Sequence, residues 1–365
     1  MSNYFRDEVN QLSSYQKIPD PNAVAKNLGL HRVAKLDTNE IYYPPLPGVA
    51  EAVQAELGKL HYYPDMTNAL VVDALSHHYG LISEGLCVGD GSAALIEAIV
   101  KGVTCSGYDE VVYSWRSFEA YPLIATMAGA KPIPVPRAAD HGHDLAGVLK
   151  AITPATRVII ICNPSNPTGA YMPLREIETF LASVSPSVLV VLDEAYREFI
   201  HPRPHFDTLP LASRVKNLII LRSFSKAWGL AGLRVGWSYS SPDLARGIQK
   251  CILPFSVSRI GQAAAVAALS QEEEMRRRAA EIAAERDALL AMVRLHTPEV
   301  PYSQGNFIWL PIGDLAAAFG YEAEQRGFIV RAFAGEGIRV TVGTAEQNAD
   351  FVAAYPNVLQ AIGFR

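Results

Sequence analysis

The sequence predicts an α/β protein: a mostly parallel sheet with helices on both faces, joined to a smaller α+β unit. Three observations lead there. Short apolar, β-branched runs alternate with longer stretches of helical period through the middle of the chain, as buried parallel strands joined by helices do. The C-terminal part changes character, with one long charged amphipathic helix followed by short strand-like pieces. At 365 residues and 49% hydrophobic content, the chain can bury a large core and exceeds what a single small unit needs.

The candidate strands are Glu110 to Tyr113, Lys131 to Val135, Arg157 to Cys162, Val188 to Asp193, Leu218 to Arg222 and Leu233 to Tyr239. Between them lie helix-like stretches at Ser92 to Lys101, Phe118 to Ala128 and Leu174 to Ser183. Glu272 to Leu295 reads as the charged helix, and strand-like pieces follow around Phe307, Ile329 and Val340. The expected division puts residues 39–255 in the large unit, with 1–38 and 256–365 in the small one.

Charge and cysteines exclude several function classes. The net charge of −5 is spread over 32 basic and 37 acidic residues, leaving no basic stripe for nucleic acid or anionic lipid. Cys87, Cys105, Cys162 and Cys251 lack metal-ligand spacing and lie in or next to apolar runs, so they are expected to be reduced core cysteines, with no metal site. The N-terminal MSNYFRDEVNQ has no apolar leader region, and no apolar run reaches the length of a membrane span. A cytoplasmic protein is expected.

In sheets of this kind, ligands sit beyond the carboxyl ends of the strands. Three strand exits carry chemistry. Asp193 ends the run V-L-V-V-L-D, where its carboxylate is poorly solvated and needs a cation or donor opposite; a helix N-cap or a buried ion pair would also satisfy it. Asn163 to Gly169, N-P-S-N-P-T-G, is a rigid turn that can hold an amide side chain in a fixed direction. In L-R-S-F-S-K, Ser223 and Ser225 precede Lys226, and Arg234 follows a glycine-rich turn: hydroxyls, N–H groups and a guanidinium that suit a phosphate. A partly desolvated lysine among other cations loses its proton more easily and can form a Schiff base. A phosphate-bearing aldehyde cofactor would use all three exits.

The segments LDTNE, YYPD, GDGSAALIEA, CNPSNPTG, DEAY, SFSKAWGLAGLRVG, NFIWL and IRVTVGT run in order from about Leu36 to Thr344. In these the chain resembles the fold-type I, pyridoxal-phosphate-dependent aminotransferases, and within them the histidinol-phosphate aminotransferase subgroup. The resemblance implies that Lys226 carries the cofactor as an imine and moves the proton at the substrate's Cα. Asp193 would pair with the pyridine nitrogen, and Asn166 and Tyr196 would hydrogen-bond the ring's phenolic oxygen. Ser223, Ser225 and Arg234 would bind the phosphate with the N–H groups of Gly91 and Ser92, and Phe118 would stack on the ring. Tyr63 would reach the phosphate bound in the other subunit of a homodimer. Arg339 would receive the substrate's anionic end, with Arg331, Tyr15 and Asn39 helping.

The reaction so implied is ping-pong amino transfer between histidinol phosphate and 2-oxoglutarate, in histidine biosynthesis. Two features depart from that subgroup. Phe118 stands where a tyrosine is common, and W-R-S-F-E-A-Y-P is similar to a sister group that prefers phenylalanine and other aromatic amino acids. LDTNE replaces a commoner asparagine-rich form. An aromatic amino acid aminotransferase is therefore the alternative; a lyase, decarboxylase or oxidase, or a non-catalytic domain of the same fold, stands further off.

Overall fold

A computed structural model of the chain describes residues 4, 6–10, 12, 18–202 and 207–364. Among these residues are eleven strands: β1 Ala34–Leu36, β2 Leu86–Gly89, β3 Glu110–Trp115, β4 Lys131–Pro136, β5 Thr156–Cys162, β6 Leu189–Asp193, β7 Leu218–Ser223, β8 Gly236–Ser240, β9 Phe307–Gly313, β10 Phe328–Phe333 and β11 Glu336–Thr341. Seven form one sheet in the order β2-β8-β7-β6-β5-β3-β4, parallel except that β8 runs against both its neighbours. The other four form a mixed sheet, β1-β10-β11-β9. No helix among the described residues is long and apolar enough to cross a membrane.

The central strands are apolar along their length because both faces are covered: Val158 to Ile161, Val190 to Leu192 and Leu218 to Leu221 are all buried. Their register places Cys162, Asp193 and Leu221 side by side at one edge. Ser223 pairs with Gly236, and Gly236 pairs with Gly89. The carboxyl ends of β2, β5, β6 and β7 thus meet along that edge, where the three chemically distinctive exits leave the sheet.

Four sequence expectations need correction. The strand expected from Leu233 begins at Gly236, because a short turn at Ala231–Leu233 puts Arg234 in the left-handed region at φ 53°. The short strands β1 and β2, of three and four residues, were not expected, being too short to show a period. Cys87 and Cys162 are buried, but Cys105 and Cys251 are exposed: one sits in a turn ahead of β3, the other ends the helix Pro242–Cys251. Finally, the large hydrophobic cluster continues past residue 255 through Val257, Ala264 and Met275 to Ile282, and the same helix, Glu272–Arg294, then carries Leu289, Leu290 and Val293 into the small cluster. The change of core falls inside that helix, which belongs to both.

Successive residues at the end of β6 face opposite ways, as a strand requires. Asp193 bonds Tyr121, whereas Glu194 turns to Arg222, whose Nε donates at 2.9 Å, and accepts from Thr208 Oγ1 at 2.6 Å. Arg222 also pairs with Asp207 at 2.5 Å and lies over the rings of Tyr79 and Trp237. Arg222 and Glu194 are each 2% exposed, so removing Arg222 leaves the buried Glu194 carboxylate with only Arg197, 3.9 Å away, as a counter-charge. Arg222→Leu is expected to lower unfolding stability by about 3–5 kcal/mol in chemical denaturation. A loss below about 1 kcal/mol would show that the pair does not hold the end of β6 in place.

Candidate active site

The turn after β7 is built from its anchors outward. Phe224 and Trp228 are buried, and the main chain between them closes on itself through Gly229 N–H to Lys226 O at 2.9 Å and Leu230 N–H to Phe224 O at 2.9 Å. Ser223 Oγ accepts from the N–H of Ser225 at 2.9 Å. With its aromatic neighbours pointing into the core, Lys226 is left partly buried over the sheet edge. Its Nζ donates to the carbonyl of Thr38 at 3.0 Å, from the segment that follows β1. Burial, followed by the nearby Arg339 guanidinium, brings the pKa of Lys226 down to about 7; Arg234 and Lys35 act the same way, and Glu40 opposes them.

Asp193 is 4% exposed, and burial raises its pKa, while hydrogen bonds from Tyr121 and the Ala195 N–H favour the ionised form. Tyr121 Oη donates to Oδ2 at 2.7 Å, and Ala195 N–H donates to Oδ1 at 3.2 Å. Asn166 Oδ1 accepts from Arg339 Nη1 at 2.7 Å. Tyr196 Oη accepts from Asn39 Nδ2 at 3.0 Å. Asn39 is itself held in the left-handed region at φ 55° by Thr341, which bonds both its N–H and its Oδ1 at 3.0 Å.

Three of the residues expected to hold a phosphate, Arg234, Ser225 and Gly91, lie close together. Arg234 Nη1 donates to Ser225 Oγ at 3.3 Å. The helix Ser92–Val103 begins beside it at Gly91, with no side chain capping its first N–H groups. Gly91 has φ 83°, and a Cβ there would lie 2.4 Å from Arg234 Nη2; a Cβ on Gly236 would lie 2.3 Å from the Ser92 nitrogen. Both glycines are needed for these segments to come this close.

One cavity is lined by Lys226, Asn166, Tyr196, Asn39, Phe118, Arg331 and Arg339 together. Arg331 and Arg339 are register partners on β10 and β11, so their side chains leave the sheet on the same face. Arg331 Nη2 bonds Glu119 Oε2 at 2.5 Å. Asp193, Ser223, Ser225, Arg234, Gly91 and Ser92 do not line this cavity. Tyr63 is 77% exposed, against Phe255 and away from this cavity, and Tyr15 lies outside the described residues. Among the described residues no acidic, histidine or cysteine cluster is arranged to hold a metal.

Sequence reasoning missed Tyr121, Glu119, Phe333 and the Thr38 carbonyl. Tyr121 was findable: it lies three residues after Phe118 at the start of a helix, on the same side. The others carry no local signal, because only the packing of the two sheets brings them to Lys226.

Comparison with known proteins gives the family. The family described as Aminotransferase class I and II matches residues 31–354. An aromatic amino acid aminotransferase of Streptomyces coelicolor is 44% identical over 318 residues, covering 87% of this chain and 88% of that protein. One of Rhodococcus jostii is 41% identical over 323 residues, covering 87% and 88%. Among solved structures, a histidinol-phosphate aminotransferase from Sinorhizobium meliloti in complex with pyridoxal-5'-phosphate superposes with a TM-score of 0.88 at 28% identity, over 99% of each chain. The aspartate aminotransferase of Thermus thermophilus with maleate, at 22% identity and a TM-score of 0.80 over 98% and 100%, shares the fold. With its fold, its lysine at the sheet edge and a family match over most of its length, the chain belongs to the class I and II aminotransferases and is an enzyme of the fold-type I architecture.

Proposed function

We propose that the enzyme transfers the amino group of an aromatic amino acid to a 2-oxo acid, with pyridoxal 5'-phosphate as cofactor. The observation that carries the substrate reading is the make-up of the cavity, which the rings of Phe118 and Phe333 line together with Lys226 and Arg339. The named activity of relatives at 41–44% identity supports it. Histidinol phosphate is the second reading, favoured by the side-by-side Arg331 and Arg339 and by the named activity of one structural neighbour.

The residues fit the cofactor. A buried carboxylate whose pKa burial raises needs a cation opposite, which a protonated ring nitrogen would provide; Asp193 would hold it. Ser223, Ser225, Arg234 and the open helix start at Gly91 and Ser92 would hold a phosphate, and Asn166 and Tyr196 the phenolic oxygen. When bound, the cofactor supplies an aldehyde that takes up the amino group and a ring that delocalises the electron pair left at Cα. Lys226, its pKa brought down to about 7 and so about half unprotonated at neutral pH, would take the proton from the donor's Cα and deliver it to the cofactor's aldehyde carbon. Arg339 would grip the α-carboxylate as a planar fork, and Phe118 would lie against the cofactor ring.

A homodimer fits the exposed surface. Tyr63 stands beside exposed Tyr62, Leu60 and Met66, an apolar patch of the kind a second copy covers. In that assembly Tyr63 would reach the partner's phosphate site. The four free thiols suit a reducing compartment, the cytoplasm.

In single-turnover mixing with purified cofactor-loaded enzyme, phenylalanine is expected to discharge the lysine-bound absorbance at least about tenfold more efficiently than histidinol phosphate. The reverse preference would overturn the aromatic reading. Lys226→Ala is expected to stay folded and lose turnover, and Asp193→Ala to raise the barrier by about 4 kcal/mol or more. A residual rate within tenfold for Asp193→Ala would refute the ring-nitrogen role. Analytical ultracentrifugation should give a dimer, with Tyr63→Ala lowering cofactor retention; a monomer with full cofactor affinity would rule out the shared site.

A further inference from the structure

Directly opposed like charges on neighbouring strands repel, and Arg331 and Arg339 are such a pair. Two adjacent guanidinium groups on one sheet face also make a natural seat for a dianion such as a phosphate ester. The fold alters that seat from a different element. Glu119, the residue ahead of the helix Ala120–Met127, reaches across and pairs with Arg331 at 2.5 Å. The Arg331 side chain is 6% exposed and that of Glu119 26%, so solvent screens the pair only in part. Glu119 does not cap its own helix; its carboxylate is committed to the cavity.

The same compensation recurs at the neighbouring arginine. Phe333 lies within 6 Å of three guanidinium groups: Arg116 at 5.2 Å, Arg331 at 5.8 Å and Arg339 at 5.9 Å from its centroid. Arg116 forms a two-pronged contact with Glu336, its Nε 3.0 Å from each carboxylate oxygen. Two of the three cations around this ring are thus matched by a glutamate. Arg339 donates to Asn166 Oδ1 at 2.7 Å and to the main-chain carbonyl of Asp37, both neutral acceptors.

We infer that Glu119 is a specificity-determining residue: its carboxylate, paired with Arg331, offsets that guanidinium's charge where the substrate's anionic end would sit, which suits a monocarboxylate and disfavours a phosphate monoester. This rests on the aminotransferase reading and deepens its aromatic form. An amino acid brings one negative charge to that end. Histidinol phosphate brings a phosphate in place of the carboxylate, with up to two charges, next to the Glu119 carboxylate. The repulsion acts at short range in a largely buried site, where it is poorly screened. Discrimination comes from a repulsive element placed against the competing substrate as well as from attraction to the right one.

The test uses cofactor-loaded wild type, Glu119→Gln and the double variant Glu119→Gln/Arg331→Gln, with thermal unfolding and retained cofactor absorbance as checks on folding. Single-turnover efficiencies are measured for phenylalanine and for histidinol phosphate, and inorganic phosphate is titrated as a competitor. Glu119→Gln should move the ratio of the two efficiencies toward histidinol phosphate by about tenfold or more, chiefly through KM, and phosphate should compete at correspondingly lower concentration. The double variant should lose both gains. A ratio within about twofold of wild type in Glu119→Gln, or gains that persist without Arg331, overturns the inference. If Glu119→Gln does not fold, Glu119→Asp, which draws the carboxylate back by one carbon, should shift the ratio in the same direction by less; no shift there overturns it equally. A wild type that prefers histidinol phosphate defeats the aromatic reading, whereas a wild type that prefers phenylalanine with an unresponsive Glu119→Gln defeats only the role of Glu119.

Discussion

The protonated amine of Lys226 is poorly solvated where the fold holds it, and much of the rest of the structure serves to create that condition. Phe224 and Trp228 pull the turn after β7 into the core, which leaves the lysine over the sheet edge instead of in bulk water. The Thr38 carbonyl then fixes Nζ from one side, and the Arg339 guanidinium adds a repulsive charge from another. Thr38 and Arg339 lie next to or in strands of the small sheet, whereas Lys226 follows a strand of the large one. The amine is therefore tuned only when both sheets are packed together. Because the folded chain gives up this proton near pH 7 and the unfolded chain near 10.5, the unfolded state binds more protons between those values. Stability of the cofactor-free protein accordingly rises with pH through that window, against the usual sense for a lysine that gains an anionic partner.

Charge in the cavity is balanced with similar economy. Asp193 is buried among apolar strands and kept receptive to a cation by two hydrogen bonds to its oxygens. The arginines of the small sheet crowd around Phe333, and Glu119 and Glu336 offset two of them. Charged residues from three separate segments thus meet in one cavity, which the rings of Phe118 and Phe333 also line.

Much of this was legible in the sequence, and the limits have physical causes. The strands β3, β5, β6 and β7 announced themselves because buried parallel strands are apolar on both faces. Lys226, Asp193 and Asn166 could be picked out because each follows such a strand directly, where an unpaired polar group is costly. The start of β8 was misplaced because Arg234 adopts a left-handed backbone conformation that its residue type does not advertise. Glu119 and Phe333 could not be read as site residues: one stands ahead of a helix and the other ends a strand of the second sheet, more than two hundred residues apart. Their meeting is a product of lobe packing, and the substrate question turns on it.

The most direct measurement is the ionisation of Lys226 itself in cofactor-free enzyme, followed by NMR of side-chain-labelled lysine, with the signal assigned by its absence in Lys226→Ala. A midpoint near 7 is expected if burial and the neighbouring guanidinium groups keep the amine neutral. A midpoint at its ordinary value of 10.5 would mean that the packed sheets do not desolvate the lysine, and the physical basis for its reactivity would have to be sought elsewhere.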